Sequence, residues 1–367
     1  MHVAFLDIAT AYSANAPYEG ALGGTQAAVC YVGAELARQG IAVTLINQRR
    51  ESGEVLGVAN MPPEVMDDKF VLNTFSHIVF NGRWTEKMVK GLRARCKAKF
   101  VGWMHEACFQ SPYILPLSEF NGMVFVSEWQ KNLNASLVPP TTKACVIGNG
   151  IAPGFHDLFA KAPVLAAKSM PPVAVYAGSS KRGLLLLPEI IPLIHAAHPE
   201  IQFEIYADTI VANNEDENRS MREKLAKLPG VTHVGAVDQK TLPERFARAT
   251  YLLSPNAYPE TFCIVMAEAM AAGLRIITTA RAAIPETTHN FAALMPFLDT
   301  NNPDWLPKSV DPTGFAAFAN KEIATWQKSD ATTKEAALHA QISYAQSHYN
   351  WARRAESFRG FLSDCAD

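Results

Sequence analysis

Two glutamates stand out by their spacing and surroundings. The run Pro255-Asn-Ala-Tyr-Pro-Glu-Thr-Phe-Cys-Ile-Val-Met-Ala-Glu-Ala-Met-Ala-Ala-Gly places Glu260 after a proline-bearing turn and Glu268 further on, on the helix expected to follow. Eight helical steps rise ~12 Å and turn ~80° beyond two full circles, so the carboxylates spread along one side and do not meet. That is the wrong arrangement for an acid/base dyad and the right one for gripping two separated parts of an extended ligand. A nucleotide-sugar has that shape: one carboxylate can accept from both hydroxyls of a ribose, and the other can hold hydroxyls of a sugar beyond the diphosphate. The N–H groups of Thr261, Phe262 and Cys263 open at the expected helix start and can meet sugar hydroxyls or phosphate. Glu260 alone is better explained as an acid favouring a helix N-terminus. Glu268 is harder to dismiss, because Ile264, Val265, Ala267, Ala271 and Ala272 surround it and a carboxylate buried without partners is costly.

Three further places could do chemistry. Gly23-Gly24 just before a helix bares backbone N–H groups that suit a phosphate, and a plain helix start fits them about as well. The spacing G-x-G-x-x-G is missing, and so is G-x-x-x-x-G-K-[ST], which disfavours a dehydrogenase and a P-loop enzyme. Lys181 and Arg182 sit in a turn after the strand expected at Val173–Ala177. His105 closes the apolar run Phe100–Met104, with Glu106, Asn149 and Gly150 as weaker neighbours in the same reading. The histidines and the scattered cysteines show no metal-ligand spacing and there is no Asp-x-Asp at a strand end, so no metal site is expected.

The elements that must position these groups alternate strand with helix. Strands are expected at Met1–Ile8, Ile41–Asn47, His77–Phe80, Ala98–Met104, Gly122–Val126 and Ala144–Ile147, with helices at Gly24–Gln39, Thr85–Arg95 and Ser127–Leu137. From Ala152 to Pro172 prolines break the alternation. It then resumes through strands at Val173–Ala177, Ile201–Tyr206, Val231–Val234, Tyr251–Ser254 and Arg275–Thr279 and a helix at Thr261–Ala272, before a helical tail. Parallel strands need crossover helices, so the fold class expected is α/β with two doubly wound domains. The divisions expected are a first domain over residues 1–155, a linker over 156–172, a second domain over 173–345 and a C-terminal helix over 346–367.

Composition narrows the function classes. With 49% hydrophobic and 19% charged residues the chain is globular, and a net charge of −2 gives no reason to expect a nucleic-acid partner. The opening MHVAFLDIA is too short for a leader or a span, no eighteen apolar residues run together, and the cysteines read as reduced thiols, so a cytoplasmic protein is expected. Lys87, Lys90, Arg93 and Arg95 form a basic stretch that is either a solvated helix face or a weak peripheral contact with the inner membrane face.

PETFCIVMAEAMAAG resembles the E-x7-E segment of retaining GT-B glycosyltransferases of glycosyltransferase family 4. LGGTQ, WMHE, VFVSEWQ, VIGNGI, YAGSSKRGLLLLPEIIPLI and VGAVDQKTLPERFARATYLLSPN follow in that family's order, and the resemblance runs from Met1 to about Gly273. It implies a GT-B fold of two Rossmann-like domains facing a central cleft, with the terminal helix crossing back onto the first. The implied reaction moves a sugar from a nucleotide-sugar to a hydroxyl acceptor (glycan, glycolipid or small metabolite) with retention and without a metal. Glu260 and the N–H groups of Thr261, Phe262 and Cys263 would hold the sugar, and Glu268 the ribose. Arg182, with Lys181 second, would hold the diphosphate together with Gly23 and Gly24, and His105 would stand by the anomeric carbon. The family's upstream Arg is absent unless Lys181 replaces it, and Cys263 stands where a small Gly is often found, narrowing the sugar pocket. An epimerase on the same fold and a non-catalytic nucleotide-sugar binder are the rival readings.

Overall fold

The computed structural model describes residues 1–82, 84–107, 117–160, 162–179, 182–207, 215–298 and 309–365. The chain forms two compact units, Met1–Gly150 with Tyr349–Asp367, and Ile151–His348.

The first unit is built on strands β1 (His2–Asp7), β2 (Ala42–Asn47), β3 (Gly53–Val55), β4 (Val58–Met61), β5 (His77–Asn81), β6 (Lys99–Met104), β7 (Gly122–Phe125) and β8 (Lys143–Val146). Their order across the sheet is β3-β4-β2-β1-β5-β6-β7-β8. Every pairing is parallel except β3 with β4, a short antiparallel edge that the sequence reading missed. Helices α1 (Gly24–Arg38), α2 (Lys69–Leu72), α3 (Glu86–Arg93) and α4 (Glu128–Leu133) connect them. The central strands are covered on both faces and read as continuous apolar runs: Val3, Ala4, Phe5 and Leu6 are all buried. At about 1.5–3 kcal/mol for each large aliphatic or aromatic side chain buried, these runs pin the register Val3↔His77 and His2↔Ala42. The terminal helix Trp351–Asp364 belongs to this unit, with Phe358 4.9 Å from Trp103 and 6.1 Å from Phe5, ring centre to ring centre. Gly150 lets it close: a Cβ there would lie 2.7 Å from the Trp351 ring.

The second unit holds β9 (Val173–Ala177), β10 (Gln202–Tyr206), β11 (Val231–His233), β12 (Tyr251–Ser254), β13 (Arg275–Thr279) and β14 (Ala293–Met295) in the order β11-β10-β9-β12-β13-β14, all parallel. Helices α5 (Leu187–Ala197), α6 (Glu215–Ala226), α7 (Thr241–Arg248), α8 (Ile264–Ala271), α9 (Ile284–Thr288), α10 (Pro312–Lys328) and α11 (Ala331–His348) complete it. Strand β14 was not expected, since three residues give too short an alternation to register.

Residues 151–172, expected for the most part as a linker, belong to the second unit as a strap on its surface. Val164 is buried against Leu338 and Ile342, and the Glu335 carboxylate accepts from the N–H groups of Val164 and Leu165. Lys168 donates to the carbonyls of Ala247 and Ala272, at 3.0 and 2.8 Å, where α7 and α8 end and their dipoles favour a cation. No helix among the described residues is long and apolar enough to cross a membrane. Cys30, Cys96, Cys145, Cys263 and Cys365 are free thiols.

Candidate active site

Doubly wound sheets bind ligands beyond the carboxyl ends of their strands, at the point where the winding reverses. In the second unit the chain winds β9, β10, β11 and then returns to place β12 on the other side of β9. The reversal therefore lies between β9 and β12, and the loops that leave those two strands carry Arg182 and Glu260.

The loop after β9 is tied to itself. Tyr176 Oη donates to the Ser179 carbonyl (2.9 Å), the Arg182 N–H donates to the same carbonyl (3.0 Å), and Arg182 Nη1 donates to Ser179 Oγ (2.9 Å). Gly183 turns the chain at φ 106°, where a Cβ would lie 2.4 Å from the Pro255 carbonyl oxygen, so the two loops can pass only with glycine there. The turn after β12 is fixed by Asn256. Its side chain donates to the Tyr258 carbonyl (2.8 Å) and accepts from the Tyr258 N–H (3.1 Å), while its own carbonyl accepts from Thr279 Oγ1 (2.6 Å). These braces bring Arg182 Nε onto Glu260 Oε1 as an ion pair, with the guanidinium carbon 5.0 Å above the Tyr258 ring. Glu260 is buried, and its carbonyl accepts from the Ala283 N–H at 3.0 Å. The carboxylate beside it holds the Arg182 guanidinium firmly protonated, against the pull of burial. With its side chain 38% exposed, Arg182 keeps an edge open to solvent.

The helix carrying Glu268 starts later than expected. Cys263 takes the left-handed conformation (φ 68°, ψ 75°) and caps α8, so Thr261, Phe262 and Cys263 form a turn before the helix. The helical spacing expected between Glu260 and Glu268 therefore holds only from Ile264 onward. The Phe262 carbonyl accepts from Thr287 Oγ1, which anchors the turn to α9. The Cys263 thiol is buried and its pKa is pushed up by burial and then by Glu260. Glu268 is buried, as its neighbours demanded. Burial raises its carboxyl to about 8, opposed by a hydrogen bond from the Ala152 backbone.

In the first unit His105 follows β6. Its ring lies 4.7 Å from that of Trp103, and burial pushes its pKa down to about 3, so the imidazole is neutral. Its backbone is gripped from α4: Gln130 Nε2 donates to the carbonyls of Met104 (3.1 Å) and Glu106 (2.6 Å), and Asn134 Nδ2 donates to that of Ala107 (2.8 Å). Gly23 caps α1 in an extended conformation and Gly24 opens the helix.

The structure thus joins Arg182 with Glu260 and sets Thr261, Phe262, Cys263 and Glu268 on the segment that follows. Gly23, Gly24 and His105 are in the other unit, and Lys181 lies outside the described residues. Reasoning from sequence missed Gln130 and Tyr258, although Gln130 is the polar end of the VFVSEWQ run it had singled out. In the basic stretch Lys87 and Lys90 are exposed. Arg93 stacks 3.6 Å over Phe100 and donates to the carbonyls of Ala98 and Glu119, Arg95 pairs with Asp67, and Lys90 pairs with Glu86. Among the described residues no group of three or more His, Cys, Asp or Glu is placed to hold a metal ion.

Residues 171–311 match the family model described as "Glycosyl transferases group 1". No curated protein matches the chain. Among solved structures, sucrose-phosphate synthase from Thermosynechococcus elongatus is similar over 99% of this chain and 98% of its own, with 16% identity and a TM-score of 0.69. A glycosyltransferase from Rickettsia africae has a TM-score of 0.72 at 13% identity, covering 99% of this chain and 98% of its own. Anabaena Alr3699/HepE, solved in complex with UDP-glucose, has a TM-score of 0.67 at 14% identity, covering 99% of this chain and 100% of its own. The chain has the two-domain GT-B fold of glycosyltransferases, and the stretch that matches the glycosyl transferases group 1 model lies within its second unit.

Proposed function

We propose that the chain is a retaining, metal-independent glycosyltransferase of family 4 that moves a hexose from a nucleotide-sugar to a hydroxyl acceptor. The observation that carries this reading is the Arg182–Glu260 pair at the strand-order reversal of the second unit, inside the stretch that matches the glycosyl transferase model.

As the glycosidic bond breaks, negative charge gathers on the leaving diphosphate, and a cation already fixed beside it lowers the barrier. Glu260 and Ser179 hold Nε and Nη1 of Arg182, and a guanidinium has five N–H donors, so the open edge can meet the diphosphate without giving up its anchors. In this reading Lys181 adds a second cation. Glu260 and the N–H groups of Thr261, Phe262 and Cys263 hold the sugar, with the Cys263 side chain narrowing its pocket, and Glu268 accepts from the ribose hydroxyls. His105 is proposed for the anomeric centre, where a neutral imidazole offers a lone pair to growing positive charge. The Anabaena protein's complexes with UDP and UDP-glucose support UDP as the first nucleotide to try. No observation favours the epimerase or the non-catalytic binder.

A thermal-shift titration of the full chain with UDP, GDP, ADP and TDP, without added metal, tests the donor site. One nucleotide is expected to raise the midpoint of the wild type and to lose that effect in Glu268→Ala. No shift with any of them on folded protein overturns the reading.

A further inference from the structure

Where the strap passes α7, the second unit has an open recess of about 690 Å³. Leu158 of the strap, Ala247, and four charged residues from Lys240 to Arg248 line it. Those four are Lys240, Glu244, Arg245 and Arg248, three cations against one acid, a net charge of +2.

The ordinary uses of such cations are filled elsewhere. Arginines in a last helical turn commonly serve its bare carbonyls and the negative end of its dipole. At α7 other groups already do so: Lys168 Nζ donates to the Ala247 carbonyl (3.0 Å), the Ser169 N–H to that of Arg248 (2.8 Å), and the Ala249 N–H to that of Phe246 (3.0 Å). Ion pairing does not use them either. Glu244 stands four residues from both Lys240 and Arg248, the spacing at which helix pairs form. Among the described residues it pairs with neither, and none of the three cations pairs with any carboxylate. The two arginines also converge. Burial and the hydrogen bond to Glu204 hold the Tyr206 hydroxyl protonated, and Arg245 and Arg248 both pull against them, so both guanidiniums lie within electrostatic reach of one oxygen.

Three helical steps separate these arginines by a rise of ~4.5 Å, so one phosphate can lie across both and accept from their N–H groups. A dianionic phosphate balances the charge of the lining. The volume is larger than inorganic phosphate needs and falls in the range of small-molecule sites, and Leu158 and Ala247 give a carbon skeleton an apolar surface.

We propose that the recess between the strap and α7 binds a phosphate monoester, with Arg245 and Arg248 holding its dianion, Lys240 adding charge, and its carbon skeleton lying against Leu158 and Ala247. The site uses none of the residues proposed for the donor and does not depend on the sugar-transfer reading. A soluble phosphate ester and a lipid phosphate headgroup share this chemistry.

The test titrates the full chain with glycerol 3-phosphate by calorimetry. In parallel it measures co-sedimentation with phosphatidylcholine vesicles carrying phosphatidic acid, which presents the same group on a lipid. None of the charged side chains to be changed is buried, so the variants should keep the wild-type urea midpoint. Glycerol 3-phosphate is expected to bind the wild type, and to bind Arg245→Gln/Arg248→Gln at least about tenfold more weakly. Glu244→Gln removes the one acid of the lining and should bind it about two- to threefold more tightly. Capture by the vesicles that the double variant loses would make the source a lipid, and no capture would make it a soluble ester. The proposal is overturned if neither the ester nor the vesicles bind, or if the double variant binds like the wild type. It is also overturned if binding is lost in Arg182→Ala instead, which would place the phosphate in the donor site.

Discussion

Glu268 is a carboxylate buried among apolar neighbours with one backbone donor and no ion pair among the described residues, so it should write itself into the pH dependence of stability. Its carboxyl rises from the ordinary 4.5 to about 8 in the folded protein. Between those values the unfolded chain has released the proton while the folded chain retains it, so stability falls as pH rises through this window. At 1.36 kcal/mol per pH unit the full gap corresponds to about 5 kcal/mol as a ceiling, and relaxation around the buried group brings the expected change to roughly 2–4 kcal/mol. The assay is urea denaturation of wild type and Glu268→Gln from pH 5 to 8.5, because the difference between the two cancels the groups they share. The wild type should lose stability relative to the variant as pH rises, and the change should level off above about pH 8. Nucleotide binding should follow the opposite trend: if ribose hydroxyls donate to the ionised carboxylate, affinity in the wild type tightens with pH up to about 8. A stability difference that stays flat across the range would refute the assignment of Glu268 as a buried, unpaired acid.

Arg182→Lys keeps a charge but loses the fork that reaches Glu260, Ser179 and the diphosphate together, and should lower kcat about 10²–10³-fold with folding intact by circular dichroism. Gly183→Ala puts a Cβ against the Pro255 carbonyl at a φ of 106°, and should lower the urea midpoint by the equivalent of about 2–4 kcal/mol. Lys168 is half-buried, and desolvation lowers its pKa from 10.5 to about 7. The unfolded chain therefore binds the extra proton between those values, and the stability of wild type relative to Lys168→Met should rise from pH 7 to pH 10.

Much of the architecture was legible because doubly wound sheets write themselves plainly. Central strands covered on both faces need unbroken apolar runs, and β9, β12 and β13 fall at the expected residues. The short β3–β4 edge and β14 lack such runs. The late start of α8 was hidden by Cys263, since a left-handed non-glycine residue leaves no mark in a one-dimensional pattern. At the site, the glutamates were visible from their odd company. The recess beside α7 was not, because cations on a helix face are common and no one-dimensional pattern sets Leu158 against them. Likewise nothing in the pattern around Lys168 marks it, and only the folded strap brings it against the ends of α7 and α8.

The central claim is that Arg182, anchored by Glu260, draws off the charge of a leaving nucleotide. The most direct measurement is release of free nucleoside diphosphate from UDP-, GDP-, ADP- and TDP-sugars by wild type and Arg182→Ala, with EDTA present and a panel of hydroxyl acceptors. One donor class should be turned over, at least a hundredfold more slowly by the variant, and the new glycosidic bond should keep the donor's anomeric configuration by NMR. No turnover of any donor by folded wild type, or equal rates in the two proteins, would contradict the account.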